Sequence, residues 1–194
     1  MDGDGSRSKK KSHFRKARIK MATDYKIPGR NAEILDKVDP KLVEEGANAF
    51  ANELMCSQCA FVHGAKMLGF DEEQALLTAS GFGWGMQHGE RCGAVTGSLM
   101  ALGLKYGYRN AEEFPNYQIL KKKQAEFDRR FLEGVGALTC KEILKGNYAV
   151  EKERKEIYDE KRYDACEQVM GYAISILEDL LNDTSDDAAL IHKE

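Results

Sequence analysis

Four of the five cysteines in this chain lie where the sequence predicts the first turn of a helix; they are Cys59, Cys92, Cys140 and Cys166. A helix N-terminus carries partial positive charge and unpaired N–H groups, and both favour the thiolate over the thiol. The thiolate is the form that binds a metal ion or attacks a disulfide. We therefore expect a sulfur site built from distant segments, in which each helix terminus lowers a thiol pKa.

The residues before each of these cysteines predict that it lies in the first turn of its helix. Cys92 follows the glycine-rich segment 81–89 and is predicted near the third position of a helix over 90–106. Cys140 follows Thr139 in a capping box, Cys166 follows a predicted cap at Asp164, and Cys59 follows a predicted cap at Ser57. A single buried cysteine usually acts as a small hydrophobic residue. Four with the same placement favour a shared site that faces the interior.

Cys56 and Cys59 form a C-x-x-C pair, which suggests a redox pair or half of a metal site. No histidine follows it, so it is not a c-type haem attachment, and its helical surroundings do not favour a thioredoxin-like site. We predict that Cys59 belongs to the site and that Cys56 is incidental. His63 and His88, each four residues from a cysteine, are weaker candidates for ligands, because a lone histidine is more often a satisfied polar residue.

The glycine-rich segment 81–89 does not match a nucleotide-binding loop. His88 stands where a G-x-G-x-x-G motif needs its last glycine, and no strand precedes the segment. A loop of this kind can instead donate backbone N–H groups to sulfur, which tunes the potential of iron–sulfur centres. We expect this role here, with Trp84 shielding the site from water.

Helical spacing of apolar residues recurs along the chain, and no convincing strand pattern appears. We predict an all-α, compact multi-helix bundle around a buried central helix, 90–106, in which Gly93, Gly97 and Ala101 recur every four residues. Further helices are predicted from Asp39, over 57–68, from Asp71, from Pro115, from Thr139, over 151–162 and over 164–182. The predicted organisation is a basic leader over 1–31, a helical redox domain over 32–182 and a polar tail over 183–194.

Charge and hydropathy restrict the functional class. Residues 1–20 carry eight basic side chains against two aspartates, although the whole chain has a net charge of −3. No apolar segment follows them, so they are not a secretory signal, and because aromatic residues do not alternate with them we do not expect nucleic-acid binding. The uncharged, largely apolar stretch 92–104 is shorter than the roughly 20 residues that cross a bilayer. An odd number of cysteines without a signal peptide favours a reducing, cytoplasmic location.

The cysteine pattern resembles that of a family of putative redox-active proteins named for the motif C…GCAxxG…C…C. The core of the motif matches Cys92-Gly93-Ala94-Val95-Thr96-Gly97, and the family's other cysteines match Cys59 with Ala60, Cys140 with Lys-Glu-Ile-Leu144, and Cys166. The resemblance covers about residues 40–181 and implies redox activity without a named substrate. A related domain occurs in split-Soret cytochromes together with an iron–sulfur centre, but this chain lacks their C-x-x-C-H haem motif.

Three functional hypotheses remain open on the sequence. In the first, Cys59, Cys92, Cys140 and Cys166 bind an iron–sulfur cluster of the [2Fe–2S] type, and the chain exchanges electrons with a redox partner protein. In the second, no metal is bound, and Cys92 acts as the nucleophile of a thiol–disulfide protein in which Cys59 or another family cysteine resolves. In the third, the cysteines hold structural zinc in a non-catalytic binding module. A homodimer is compatible with each hypothesis.

Overall fold

The computed structural model describes residues 25–191, which form an all-α bundle with no β-strand among them. The predicted fold class is therefore confirmed. None of the described helices is long and apolar enough to cross a bilayer. The helices are α1 (Ala32–Leu35), α2 (Pro40–Ala51), α3 (Cys56–Met67), α4 (Glu72–Ala79), α5 (Gly93–Tyr106), α6 (Asn116–Val135), α7 (Cys140–Leu144), α8 (Glu151–Asp159) and α9 (Cys166–Asn182). Three 3₁₀ turns supplement them at Ser80–Phe82, Arg162–Ala165 and Asp187–Ala189.

Side-chain caps begin several helices where the sequence predicted them. The Asp39 carboxylate accepts the Lys41 N–H at the start of α2, at 2.8 Å. The Asp71 carboxylate accepts the Gln74 N–H at the start of α4, at 2.7 Å. Such caps satisfy N–H groups that the helix itself leaves unpaired, and because they are local they can be predicted from sequence.

The central helix α5 is buried as predicted, and small residues bring α3 against it. A Cβ added at Gly97 would lie 2.3 Å from the Ser57 carbonyl oxygen, and one added at Gly64 would lie 2.4 Å from the Ala101 Cβ. The start of α3 therefore meets the start of α5, and the later turns meet in the same order. The two helices run parallel, so their positive N-terminal ends lie side by side.

Helix α9 has the same direction as α3 and α5. A Cβ added at Gly64 would lie 3.2 Å from the Leu177 side chain, and both residues lie in the later turns of their helices. Helix α2 runs in the opposite direction against α9, where a Cβ at Gly171 would lie 2.8 Å from the Val43 nitrogen. Three parallel helices consequently begin at the same end of the bundle.

Both ends of the described chain pack against the bundle. Ile27 is buried, and the Asn31 N–H donates to the Gly134 carbonyl at 2.8 Å. At the other end, the buried Asn116 side chain bonds the N–H and the carbonyl of Ile191, at 2.8 and 2.9 Å. Residues 1–24 of the predicted leader and 192–194 of the predicted tail lie outside the described residues.

Candidate functional site

A cavity of about 330 Å³ lies at the end of the bundle where α3, α5, α7 and α9 begin. Four cysteines line it: Cys56, Cys92, Cys140 and Cys166. The other lining residues are mostly apolar or aromatic: Phe50, Glu53, Leu54, Met55, Trp84, Ala94, Ile143, Leu144, Tyr158, Tyr163, Val169 and Met170. Glu53 is the only lining carboxylate among the described residues, so the surroundings of the four thiols have a low effective dielectric constant.

Each cavity cysteine lies at the first residue of a helix or immediately before it. Cys56, Cys140 and Cys166 are the first residues of α3, α7 and α9, and Cys92 is the N-cap of α5. The predicted positions were right for Cys140 and close for Cys166. They were wrong for Cys92, because α5 begins at Gly93 rather than at Glu90.

Cys56 lines the cavity and Cys59 does not, whereas the sequence predicted Cys59 in the site and Cys56 outside it. Cys59 is the fourth residue of α3, is 5 % exposed and does not line the cavity, whereas Cys56 does. Ser57 is not the cap of α3; its hydroxyl donates to the Ala79 carbonyl at 2.7 Å instead. The Met55 N–H donates to the Gln58 side chain at 2.9 Å, so the helix begins earlier than predicted.

An isolated antiparallel bridge holds Cys92 and Cys140 together. The Cys92 N–H donates to the Leu138 carbonyl at 2.8 Å, and the Cys140 N–H donates to the Glu90 carbonyl at 2.7 Å. Arg91 and Thr139 are the paired residues between these two bonds. A bridge of one residue pair leaves no alternating pattern in the sequence, so sequence analysis did not predict it. It brings the two cysteines to the same wall of the cavity.

Backbone N–H groups converge on two of the sulfurs. The backbone N–H groups of Trp84, Ser57, Gly93 and Cys56 itself lower the pKa of the Cys56 thiol, and those of Ala94 and Val95 lower the pKa of the Cys92 thiol. A Cβ at Gly93 would lie 2.2 Å from the Cys56 sulfur, so a side chain there would displace that sulfur. Trp84 belongs to the glycine-rich segment, so the effect of its N–H on Cys56 agrees with the role predicted for that segment.

Burial raises the pKa of all five cysteines, and the expectation of lowered values was wrong in direction. Burial raises the pKa of Cys92 and of Cys59 to about 12, and that of Cys56, Cys140 and Cys166 above the usual value of a thiol. Desolvation of the thiolate outweighs the stabilising N–H groups. Neighbouring thiols add to the rise: Cys56 raises the pKa of Cys92, both raise that of Cys140, and all three raise that of Cys166, whereas Cys59 is affected by Cys56 alone among them. With no metal bound, these thiols are protonated at neutral pH.

The backbone that supplies the Trp84 N–H is strained. Residues 84–87 all have positive φ, and three of them are not glycine: Trp84 (54°), Met86 (56°) and Gln87 (64°). Each such residue costs about 1–2 kcal/mol relative to the right-handed conformation. Gly85 allows the turn to close, because a Cβ there would lie 2.4 Å from the Glu90 nitrogen. Strain of this kind is commonly found at functional sites.

An aromatic wall separates the cavity from solvent. Trp84 stacks on Tyr148 with 4.4 Å between the ring centroids, and Tyr158 lies 5.8 Å from Trp84 and 5.5 Å from Tyr163. Tyr158 lines the cavity and is 45 % exposed, so the cavity comes to the surface beside it. The position of Trp84 agrees with the predicted shielding role.

A comparison with known protein families identifies the family to which the chain belongs. A family model described as "Putative redox-active protein (C_GCAxxG_C_C)" matches residues 54–180. The chain belongs to this family. The matched segment includes all five cysteines, among them the four that line the cavity, and the glycine-rich segment. No curated protein and no solved structure matches the chain.

Neither His63 nor His88 lines the cavity of this C_GCAxxG_C_C protein. His63 lies between two carboxylates: its Nδ1 is 2.9 Å from Glu45 and its Nε2 is 3.0 Å from Glu178. Burial lowers the pKa of His63, but hydrogen bonds to the two glutamates raise it further, so the net shift is upward. His88 is exposed and does not line the cavity. Neither is placed to be a ligand of a group bound there.

The cysteine set suits some bound groups better than others. Among residues 25–191, no three His, Cys, Asp or Glu side chains are grouped closely enough to hold a single metal ion. The four thiols instead surround a volume of about 330 Å³. The chemistry of this lining, four thiols in mostly apolar surroundings, is compatible with a redox cofactor that attaches through sulfur.

Proposed function

We propose that this chain is a redox protein that binds an iron–sulfur cluster through Cys56, Cys92, Cys140 and Cys166. The observation that supports this most strongly is that the four cysteines line one cavity, each at the start of a different helix. Four cysteine thiolates are the usual ligand set of [2Fe–2S] and [4Fe–4S] clusters. We expect the [2Fe–2S] type, and a redox partner protein that exchanges electrons with it.

The electrostatics of the cavity support an anionic cluster. Helix N-termini carry partial positive charge, and four of them meet here. The N–H groups on the Cys56 and Cys92 sulfurs favour thiolates and influence the reduction potential of a bound cluster. A metal deprotonates the thiols that it binds, which removes the obstacle of their raised pKa. The same raised pKa disfavours the alternative of a metal-free thiol–disulfide catalyst, because its nucleophile would have to be a free thiolate in every turnover.

Structural zinc is a weaker candidate. Tetrahedral zinc requires four ligands about 2.3 Å from one ion when they are thiolates. The described residues contain no group of three ligands with that closeness. Zinc binding would therefore require all four thiols to close on one ion, whereas an iron–sulfur cluster divides them among its iron atoms.

The test is to purify the chain without oxygen and to measure iron, acid-labile sulfide, zinc and the visible spectrum together. We expect iron and sulfide in equal amounts, with charge-transfer absorbance that bleaches on reduction. Protein that lacks iron as purified and after anaerobic reconstitution would refute the proposal. Stoichiometric zinc, together with loss of the fold on chelation, would support the structural alternative instead.

A further inference from the structure

Cys59 is the one cysteine that the proposed cluster does not use, yet it lies beside one that it does. Cys56 and Cys59 are the first and fourth residues of α3, and side chains three residues apart share a helix face with about 5–6 Å between their Cβ atoms. A disulfide needs Cβ atoms about 3.5–4.5 Å apart. Joining the two sulfurs therefore requires this first helical turn to tighten by roughly 1–2 Å.

The two intervening residues fix this turn to the rest of the bundle. The Ser57 hydroxyl donates to the Ala79 carbonyl at 2.7 Å, and the Gln58 side chain donates to the Leu76 carbonyl at 3.0 Å. Both bonds attach the turn to α4. The two cysteines consequently stay neighbours whether or not the cavity is filled, whereas the other cavity cysteines belong to separate elements.

The two sulfurs also differ in their access to the cavity. Cys56 lines the cavity, while Cys59 is buried outside it. A small oxidant that enters beside Tyr158 therefore reaches the Cys56 sulfur and not the Cys59 sulfur. The Cys56 sulfur is therefore the one exposed to an oxidant, and Cys59 lies one helical turn behind it. This arrangement separates an attacking cysteine from a resolving one.

We propose that, in the cluster-free protein, hydrogen peroxide converts Cys56 and Cys59 into a reversible disulfide that blocks cluster loading. The Cys56 sulfur attacks the peroxide, the O–O bond breaks, and Cys56 sulfenic acid and a first water form, with the thiol proton of Cys56 passing to that water. The Cys59 thiol then displaces the hydroxyl group, and a second water leaves with the thiol proton. Two electrons pass from the sulfurs to the peroxide, which ends as two waters. The loading block depends on the proposed role of Cys56 as a cluster ligand.

The test uses metal-free, reduced full-length chain, treated briefly with dilute hydrogen peroxide and then alkylated. Lys41 and Lys66 are successive trypsin sites, so Cys56 and Cys59 fall within one tryptic peptide that holds no other cysteine. We expect this peptide to lose two hydrogens and to resist alkylation until a reductant is added. Iron loading should be lost in the treated protein and restored by the same reductant.

The matched control is Cys59→Ser, with Cys59→Ala as a second variant if the first folds poorly by circular dichroism. Both variants should load iron as the unmodified chain does, yet peroxide should drive Cys56 to sulfinic acid and block loading irreversibly. Two results in the unmodified chain would overturn the inference. One is a disulfide between Cys56 and Cys92, Cys140 or Cys166, and the other is oxidation of Cys56 while Cys59 remains a free thiol. The peptide result does not require iron, so failure of the cluster proposal and failure of the disulfide can be told apart.

Discussion

Replacing Gln87 by glycine tests the strained turn that presents the Trp84 N–H to the Cys56 sulfur. Gln87 has φ 64° and ψ 3° and its side chain is exposed, so the substitution changes the backbone preference and removes no packing. The left-handed conformation costs a non-glycine residue about 1–2 kcal/mol. Glycine removes that strain but adds roughly 0.5–1 kcal/mol of unfolded-state entropy. We therefore expect Gln87→Gly to raise the free energy of unfolding by about 0.5–1 kcal/mol.

Gln118→Gly is the matched control, because Gln118 is exposed and lies in the right-handed helix α6. The same chemical change there should lower the free energy of unfolding by up to about 1 kcal/mol. Urea unfolding of the reduced, cluster-free protein measures both, and thermal midpoints should move by about 2–4 °C per kcal/mol in a chain of this size. If both variants lose stability equally, residues 84–87 do not form the strained turn described above.

The remaining predictions concern the ion cluster at His63 and the contact between α3 and α5. Hydrogen bonds to Glu45 and Glu178 raise the pKa of His63 in the folded state. Protonated His63 therefore stabilises the fold fully below the pKa of an unfolded histidine, about 6.5. This stabilisation is lost as the pH rises through the folded-state pKa. His63→Gln should abolish this decline; identical unfolding curves against pH for the two proteins would contradict the assignment. Gly97→Ala should destabilise the chain, because the new Cβ would lie 2.3 Å from a carbonyl oxygen of α3, whereas Gly103→Ala on the same helix meets no atom within 4 Å and should stabilise by about 1 kcal/mol. Equal thermal shifts of one sign for these two variants would refute the close helix contact.

Local signals in the sequence were enough to predict much of the fold. Asp39 and Asp71 accept N–H groups two and three residues away, so the starts of α2 and α4 depend on adjacent residues only. The small residues of α5 likewise predicted a buried central helix, because a helix without a polar face must be covered on all sides. These features need no knowledge of distant segments.

The presence of Cys56 rather than Cys59 in the cavity lining could not be predicted in the same way. Ser57 is a good N-cap by residue type, so the sequence predicts that the helix begins there. Its hydroxyl instead bonds the carbonyl of Ala79, which is 22 residues away. A tertiary hydrogen bond thus decided which cysteine begins the helix, and with it which cysteine lines the cavity.

The raised pKa values of the thiols and the pairing of Cys92 with Cys140 also depend on distant residues and could not be predicted from the sequence. The stabilising effect of a helix N-terminus can be inferred from sequence, but the depth of burial that outweighs it depends on the packed structure. The bridge between Arg91 and Thr139 joins residues 48 positions apart in a single pair. Neither feature leaves a local pattern.

The central claim is that Cys56, and not Cys59, completes the cluster site. Iron and acid-labile sulfide per chain, measured in Cys56→Ser and Cys59→Ser after identical anaerobic reconstitution, test it most directly. The two variants make the same chemical change three residues apart on α3. The cavity geometry predicts that Cys59→Ser holds as much iron and sulfide as the unmodified chain, while Cys56→Ser holds little of either. Full loading of Cys56→Ser together with loss of loading in Cys59→Ser would contradict it.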